Sequence, residues 1–154
     1  MTAKLNFDKL DLQIIHEMLR DAEISYAELG KKLFVSGGTI HVRIKKLEEA
    51  GIVTGKKLCV NLKHLGYDIT AFVGIFLEKS SLYDTVVKDL QKIPEIVRLN
   101  YTTGNYSIFL EIICKDINQL RMVLHDGLQA IKGIERTETF ISLAEAFNRC
   151  VELA

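Results

Sequence analysis

Between Asp8 and Glu49 apolar residues return every three to four positions in three short runs: Leu10, Ile14 and Met18 with Leu12, Ile15 and Leu19; Tyr26, Leu29 and Leu33; and Ile40, Ile44 and Leu47. A helix needs that period to keep one stripe dry, so the spacing predicts three helices. Ser25 stands three residues ahead of Glu28, the spacing of a capping box, and sets the start of the second helix. Only residues 34–38 separate the second run from the third. A link of that length is too short for antiparallel packing and suits two helices crossing steeply about a tight turn. Ala50-Gly51 stops the third helix, and residues 52–55 and 58–60 read as two short strands joined through Gly55, Lys56 and Lys57.

Beyond residues 61–68 the pattern alternates strand with helix. Residues 69–78, 96–102, 106–114 and 134–143 read as strands; residues 81–92, with Leu82, Val86 and Leu90 on one stripe, and residues 117–131 read as helices. The order β-α-β-β-α-β is that of a ferredoxin-like unit, an antiparallel four-stranded sheet with two helices on one face. The expected class is α+β, with a helix-turn-helix domain over residues 1–61, winged by the two short strands, and a ferredoxin-like domain over residues 62–154. Alternation sets Ile108, Leu110 and Ile112 on one sheet face. The other face draws on Phe72, Phe76, Phe109 and Phe140, is too apolar to stay wet, and is expected to pack on a second subunit.

Charge changes this picture locally. In 154 residues, 20 Lys and Arg balance 20 Asp and Glu, so no field of the whole molecule draws a polyanion. Residues 31–57, however, hold seven basic side chains (31, 32, 43, 45, 46, 56 and 57) against Glu48 and Glu49. With Ile40, Ile44 and Leu47 turned inward, the opposite side of the third helix displays Ser36, Gly38, Thr39, His41, Val42, Arg43, Lys45 and Lys46. Small residues at the helix start allow close approach to duplex DNA, and Thr39, His41 and Arg43 can donate or accept in a major groove. The competing reading is a ligand-sensing module whose basic helix face meets another protein and no DNA.

Residues 101–107 join two central strands. Gly104 permits positive φ there, and its bare backbone with flanking hydroxyls and an amide can grip the carboxylate and amine of a small zwitterion; a plain hairpin turn is the alternative. Thr137 and Thr139 alternate with Arg136 and Glu138 on the last strand, a pattern that fits either a ligand contact or a surface strand. Catalysis finds no footing: there is no phosphate loop, no Gly-x-Ser-x-Gly, and no metal-ligand spacing among His16, His41, His64 and His125. No enzyme, metal or cofactor is expected. Cys59, Cys114 and Cys150 are too few and too widely spaced for a disulfide framework. The apolar stretch 69–77 is too short to cross a bilayer and no signal-peptide core opens the sequence, so the expected compartment is the cytoplasm and no membrane partner is expected.

Residues 10–15, 26–29, 35–53 and 101–107 resemble the Lrp/AsnC family of feast/famine transcription regulators, and the likeness runs through nearly the whole chain. Gly38-Thr39-Ile40-His41-Val42-Arg43, Leu65-Gly66-Tyr67-Asp68 and Tyr101-Thr102-Thr103-Gly104 are similar to its asparagine-responsive branch. The resemblance implies a winged helix-turn-helix reading duplex DNA, an effector and oligomerisation domain, dimers assembling into octameric discs, and an amino-acid effector between dimers. For this branch it implies L-asparagine and genes of asparagine and amino-acid metabolism. The implied effector residues are Tyr101, Thr103, Gly104, Asn105, Tyr106, Thr137 and Thr139. Many relatives carry Tyr-Asp where this chain has Tyr106-Ser107, a departure that suits the asparagine branch over a leucine response.

Overall fold

Asp8 opens the first helix, α1 (Lys9–Arg20), because its carboxylate accepts from the Asp11 N–H while the Asp11 carboxylate accepts from its own N–H, both at 3.0 Å. The Ser25–Glu28 capping box starts α2 (Tyr26–Lys32), and Ser36 caps α3 (Gly37–Glu49). The computed structural model describes residues 7–153, which fall into two units: residues 7–59 with 147–153, and residues 60–146. Ile14, Leu29, Ile40 and Ile44 form the buried centre of the helical unit. They are the inward members of the three predicted runs. Truncating one of these to Ala costs about 3 kcal/mol, since transfer and cavity terms add. Gly30 lets α2 and α3 meet closely: a Cβ there would sit 2.7 Å from the Val35 carbonyl oxygen.

One expectation is corrected in this unit. The strands anticipated over residues 52–55 and 58–60 do not pair, and the unit has no strand among the described residues. The Ile52 and Val53 N–H groups instead both donate to the Leu47 carbonyl, and residues 55–61 run exposed. A two-stranded ribbon without a third strand or a helix to cover it is marginal in water. Residues 147–153 group with the helical unit and not with residues 62–146, and Leu153 lines a hollow of about 290 Å³ with Lys9, Leu12, His16 and Leu33.

The second unit follows the predicted order: β1 (Ile69–Leu77), α4 (Tyr83–Leu90), β2 (Ile96–Tyr101), β3 (Ile108–Cys114), α5 (Ile117–Met122) and β4 (Ile134–Ile141). The sheet runs β2-β3-β1-β4 and every pair is antiparallel. Val73, Ile75, Ile108, Leu110 and Ile112 are buried beneath Val86 and Leu90 of α4 and Leu120 of α5. The helix expected over 117–131 changes hydrogen-bond pattern after Met122 and continues as a π-helical stretch, Val123–Leu128. Thr70, Phe72, Gly74 and Phe76 alternate to the opposite face, which carries no helix. There Phe72 stacks on Phe109 at 6.1 Å between ring centroids.

Candidate functional site

In the helical unit the exposed side of α3 presents most of the predicted set. Gly38, His41, Val42, Lys45 and Lys46 are exposed, as is the capping Ser36. The Ser36 hydroxyl accepts from the Thr39 N–H at 3.0 Å and lies 2.8 Å from the Thr39 hydroxyl, so the two fix each other and begin the helix with small groups. His41 leans on Tyr26, with ring centroids 5.7 Å apart.

Arg43 departs from its predicted role. Its guanidinium donates to both Asp8 carboxylate oxygens and to Asp11 Oδ1, each at 2.8 Å, and its side chain is 29% exposed. Asp11 is only 2% exposed. Arg43 therefore ties α3 to the capped start of α1, and its guanidinium is committed to two carboxylates. A buried carboxylate needs a cation more than a solvated phosphate does, which decides where the arginine goes. The hydrogen bond from Arg43 is the main reason the Asp8 carboxyl sits below the usual range. Lys32 is likewise engaged, by Glu17 of α1.

In the sheet unit the β2–β3 hairpin presents Thr103, Gly104 and Asn105 to solvent. Gly104 has φ +101° and no atom within 4 Å of where a Cβ would stand, so the turn is open and takes the glycine for its backbone alone. The Thr102 hydroxyl donates to the Tyr106 carbonyl at 2.8 Å and closes the hairpin. Tyr106 then folds flat over Gly74, whose missing side chain leaves room for the ring. Its hydroxyl donates to Glu138 at 2.7 Å, and Glu138 also takes a 2.9 Å hydrogen bond from Arg136, whose guanidinium carbon lies 3.7 Å from the Phe76 ring centre. That carboxylate at its hydroxyl pushes Tyr106 above the ordinary phenol value.

One chain does not bring the whole predicted effector set together. Tyr101 packs on Tyr83 at 4.4 Å, and the register runs from Tyr101 through Ile108 and Ile75 to Thr137. Tyr101 and Thr137 thus end one row that spans the four strands, about 14 Å apart at the usual strand spacing. Thr137 and Thr139 pair with Ile75 and Val73 and share their helix-bearing face, whereas the Tyr106 ring occupies the other face. Sequence reasoning missed Glu138, Arg136 and Gly74 as the setting of Tyr106. The alternation along residues 134–141 already separated Arg136 and Glu138 from the threonines, but the partner strand was needed to say which face was which.

Among the described residues no three His, Cys, Asp or Glu side chains converge as a metal site, and no helix is long and apolar enough to cross a membrane.

Comparison with known proteins bears on both units. Residues 7–54 match the winged helix-turn-helix DNA-binding family, which decides for DNA against the protein-interaction reading of the helical half. Residues 70–151 match the Lrp/AsnC ligand binding domain. The chain is similar to the regulatory protein AsnC of Haemophilus influenzae, 42% identical over 147 residues that cover 96% of this chain and 98% of that one. It is also similar to the regulatory protein AsnC of Escherichia coli K12, 41% identical over 145 residues, with 94% and 95% covered. The solved structure of Escherichia coli AsnC matches with a TM-score of 0.90 at 39% identity, covering 96% of this chain and 99% of that chain. With both halves matched in order and such identity sustained along the sequence, the chain belongs to the Lrp/AsnC family, as an AsnC-like transcriptional regulator with a DNA-binding helix-turn-helix and a domain of the kind that binds amino-acid effectors.

Proposed function

We propose that this regulator answers to L-asparagine, bound at the loop of Thr103, Gly104, Asn105 and Tyr106, and that it controls genes of asparagine and amino-acid metabolism. The observation that carries the reading is the loop itself: an open turn with Gly104 at φ +101°, flanked by hydroxyls and one amide. Residues 101–107 contain no charged side chain. A zwitterion with a neutral amide side chain needs backbone N–H groups for its carboxylate, oxygen acceptors for its ammonium and an amide reader, and that loop supplies each. An effector contact that uses the loop together with Thr137 and Thr139 needs more than one chain, because the threonines face the other way. The effector site then lies between dimers, and the working assembly is an octamer of four dimers. The capping Ser36 and, on α3, Gly38, Thr39, His41, Val42, Lys45 and Lys46 meet the duplex. The regulator works in the cytoplasm, where the DNA it reads is accessible.

Calorimetry tests the effector. The native chain is expected to bind L-asparagine more tightly than L-leucine, and Gly104→Val is expected to lose asparagine binding while still retarding duplex DNA. A side chain at Gly104 both occupies the ligand's space and resists the positive φ. Unchanged asparagine binding in the variant, or a preference for leucine in the native chain, would overturn the assignment.

A further inference from the structure

The turn between α2 and α3 holds a residue that its surroundings do not explain. Helix α2 ends in a Schellman motif: the Val35 N–H donates to the Gly30 carbonyl at 2.9 Å and the Phe34 N–H to the Lys31 carbonyl at 3.4 Å. The residue between those bonds must be left-handed, a position where glycine is ordinarily found. Here it is Phe34, at φ +57°, the sole non-glycine residue with positive φ among the described residues. A bulky side chain in that conformation crowds its own backbone. Among the described residues nothing recovers the cost, because Phe34 is 95% exposed and makes no ring contact there.

Two unfavourable features at one position, strain and a bare aromatic ring, point to a contact made only in a complex. Place and charge say with what. Phe34 lies two residues before Ser36, the cap of α3, and three after the exposed Lys31 in the last turn of α2. It is therefore continuous with the DNA-binding face and near an exposed basic side chain, a setting that suits a polyanion better than an apolar protein surface. The start of α3 has little apolar surface of its own: Gly37 and Gly38 have no side chains, and the Ser36 and Thr39 hydroxyls are engaged with each other. A ring beside them supplies what that end of the helix lacks, a flat apolar surface for a deoxyribose or a thymine methyl group.

We propose that Phe34 is a DNA contact, its ring packing on sugar or thymine methyl at the edge of the groove that α3 enters. The proposal rests on the DNA-binding role of the helical unit. The experiment uses the full chain and a duplex that the native protein enriches from a randomised pool, with Phe34→Gly and Phe34→Tyr compared by titration across salt concentrations. Phe34→Gly places at this turn the residue its backbone favours, so the variant is expected to unfold no earlier than the native chain and yet to bind the duplex about tenfold more weakly. The slope of log affinity against log salt should stay the same, because no phosphate contact is lost. Phe34→Tyr keeps the ring and should bind as the native chain does. Native affinity in Phe34→Gly would overturn the proposal and leave the ring to a protein partner. A weaker complex with a reduced salt slope, or a lowered unfolding temperature, would also overturn it by making the effect electrostatic or structural. A native chain that enriches no duplex would instead strike the DNA-binding role itself, a failure read before any variant is made.

Discussion

Arg43 shows how a single side chain changes role when its neighbours are known. It lies on the exposed side of α3 by helical spacing, yet Asp8 and the buried Asp11 hold its guanidinium through three 2.8 Å hydrogen bonds. Replacing it strands a carboxylate that is almost fully buried, so Arg43→Gln should destabilise the helical unit by about 2 kcal/mol. The same variant, measured where it is still folded, should leave the salt dependence of DNA binding unchanged. Lys45→Ala should behave in the opposite way: Lys45 is exposed, and removing one phosphate contact lowers the salt slope by about one without loss of stability. Denaturant titration and salt-dependent binding on the two variants check both halves. A slope lowered by Arg43→Gln and untouched by Lys45→Ala would reverse the assignment.

At the scale of elements, the two units respond to opposite ends of the pH range. Asp8 caps α1, Glu17 joins α1 to α2 through Lys32, and Glu28 caps α2 with Ser25; hydrogen bonds from Arg43, Lys32 and Ser25 respectively are the main causes that lower these three carboxyls. A carboxyl lowered in the folded state lends stability above its unfolded value, near 4, and that stability is lost as the pH falls through the folded value. In the sheet unit the shifts run upward. The hydrogen bond to Glu138 raises Tyr106 above 10.0, and burial pushes the Cys114 thiol up to about 11. Those contributions are complete below the unfolded values of 9.0 and 10.0 and disappear as the pH rises through the folded ones. Acid should therefore loosen α1 and α2 before the sheet, and alkali the sheet before the helices. Amide exchange resolved by residue across a pH series checks the order, and sheet amides that lose protection first in acid would contradict it.

For the whole molecule, the helix-free face of the sheet carries the prediction about assembly. Phe72, Phe76, Tyr106, Phe109 and Phe140 form one connected aromatic surface there, with Phe140 49% exposed. Surfaces of this kind are covered in use, and the occupant that fits the proposed assembly is a second copy of the same face. Light scattering on the native chain should give a dimer or larger species. Phe109→Glu sets a charge in the middle of that surface, on a central strand whose buried side remains intact, and should yield a folded monomer. A native chain that stays monomeric as its concentration rises would remove the assembly and the effector site that depends on it.

The amino-acid sequence by itself determined the features that short-range periodicity controls. Helical stripes marked α1 to α3, the Ser25–Glu28 spacing marked the start of α2, and strand alternation set the β-α-β-β-α-β order and the buried row of Ile108, Leu110 and Ile112. Each is a relation between residues a few positions apart, which the backbone geometry converts directly into structure. The glycine of the open β2–β3 turn was legible for the same reason, since positive φ is a local demand. Tertiary structure alone decided the rest. Arg43 finds its partners 32 and 35 positions away. The face taken by Thr137 and Thr139 is set by which residues of β1 they oppose, and a shift of one residue would have reversed it. Residues 52–60 had strand-like composition but no neighbouring strand to complete a ladder, and Ile52 and Val53 instead turn back on the Leu47 carbonyl. Periodicity tells a segment which of its sides is apolar; only the assembled chain supplies the surface or the charge that the side meets.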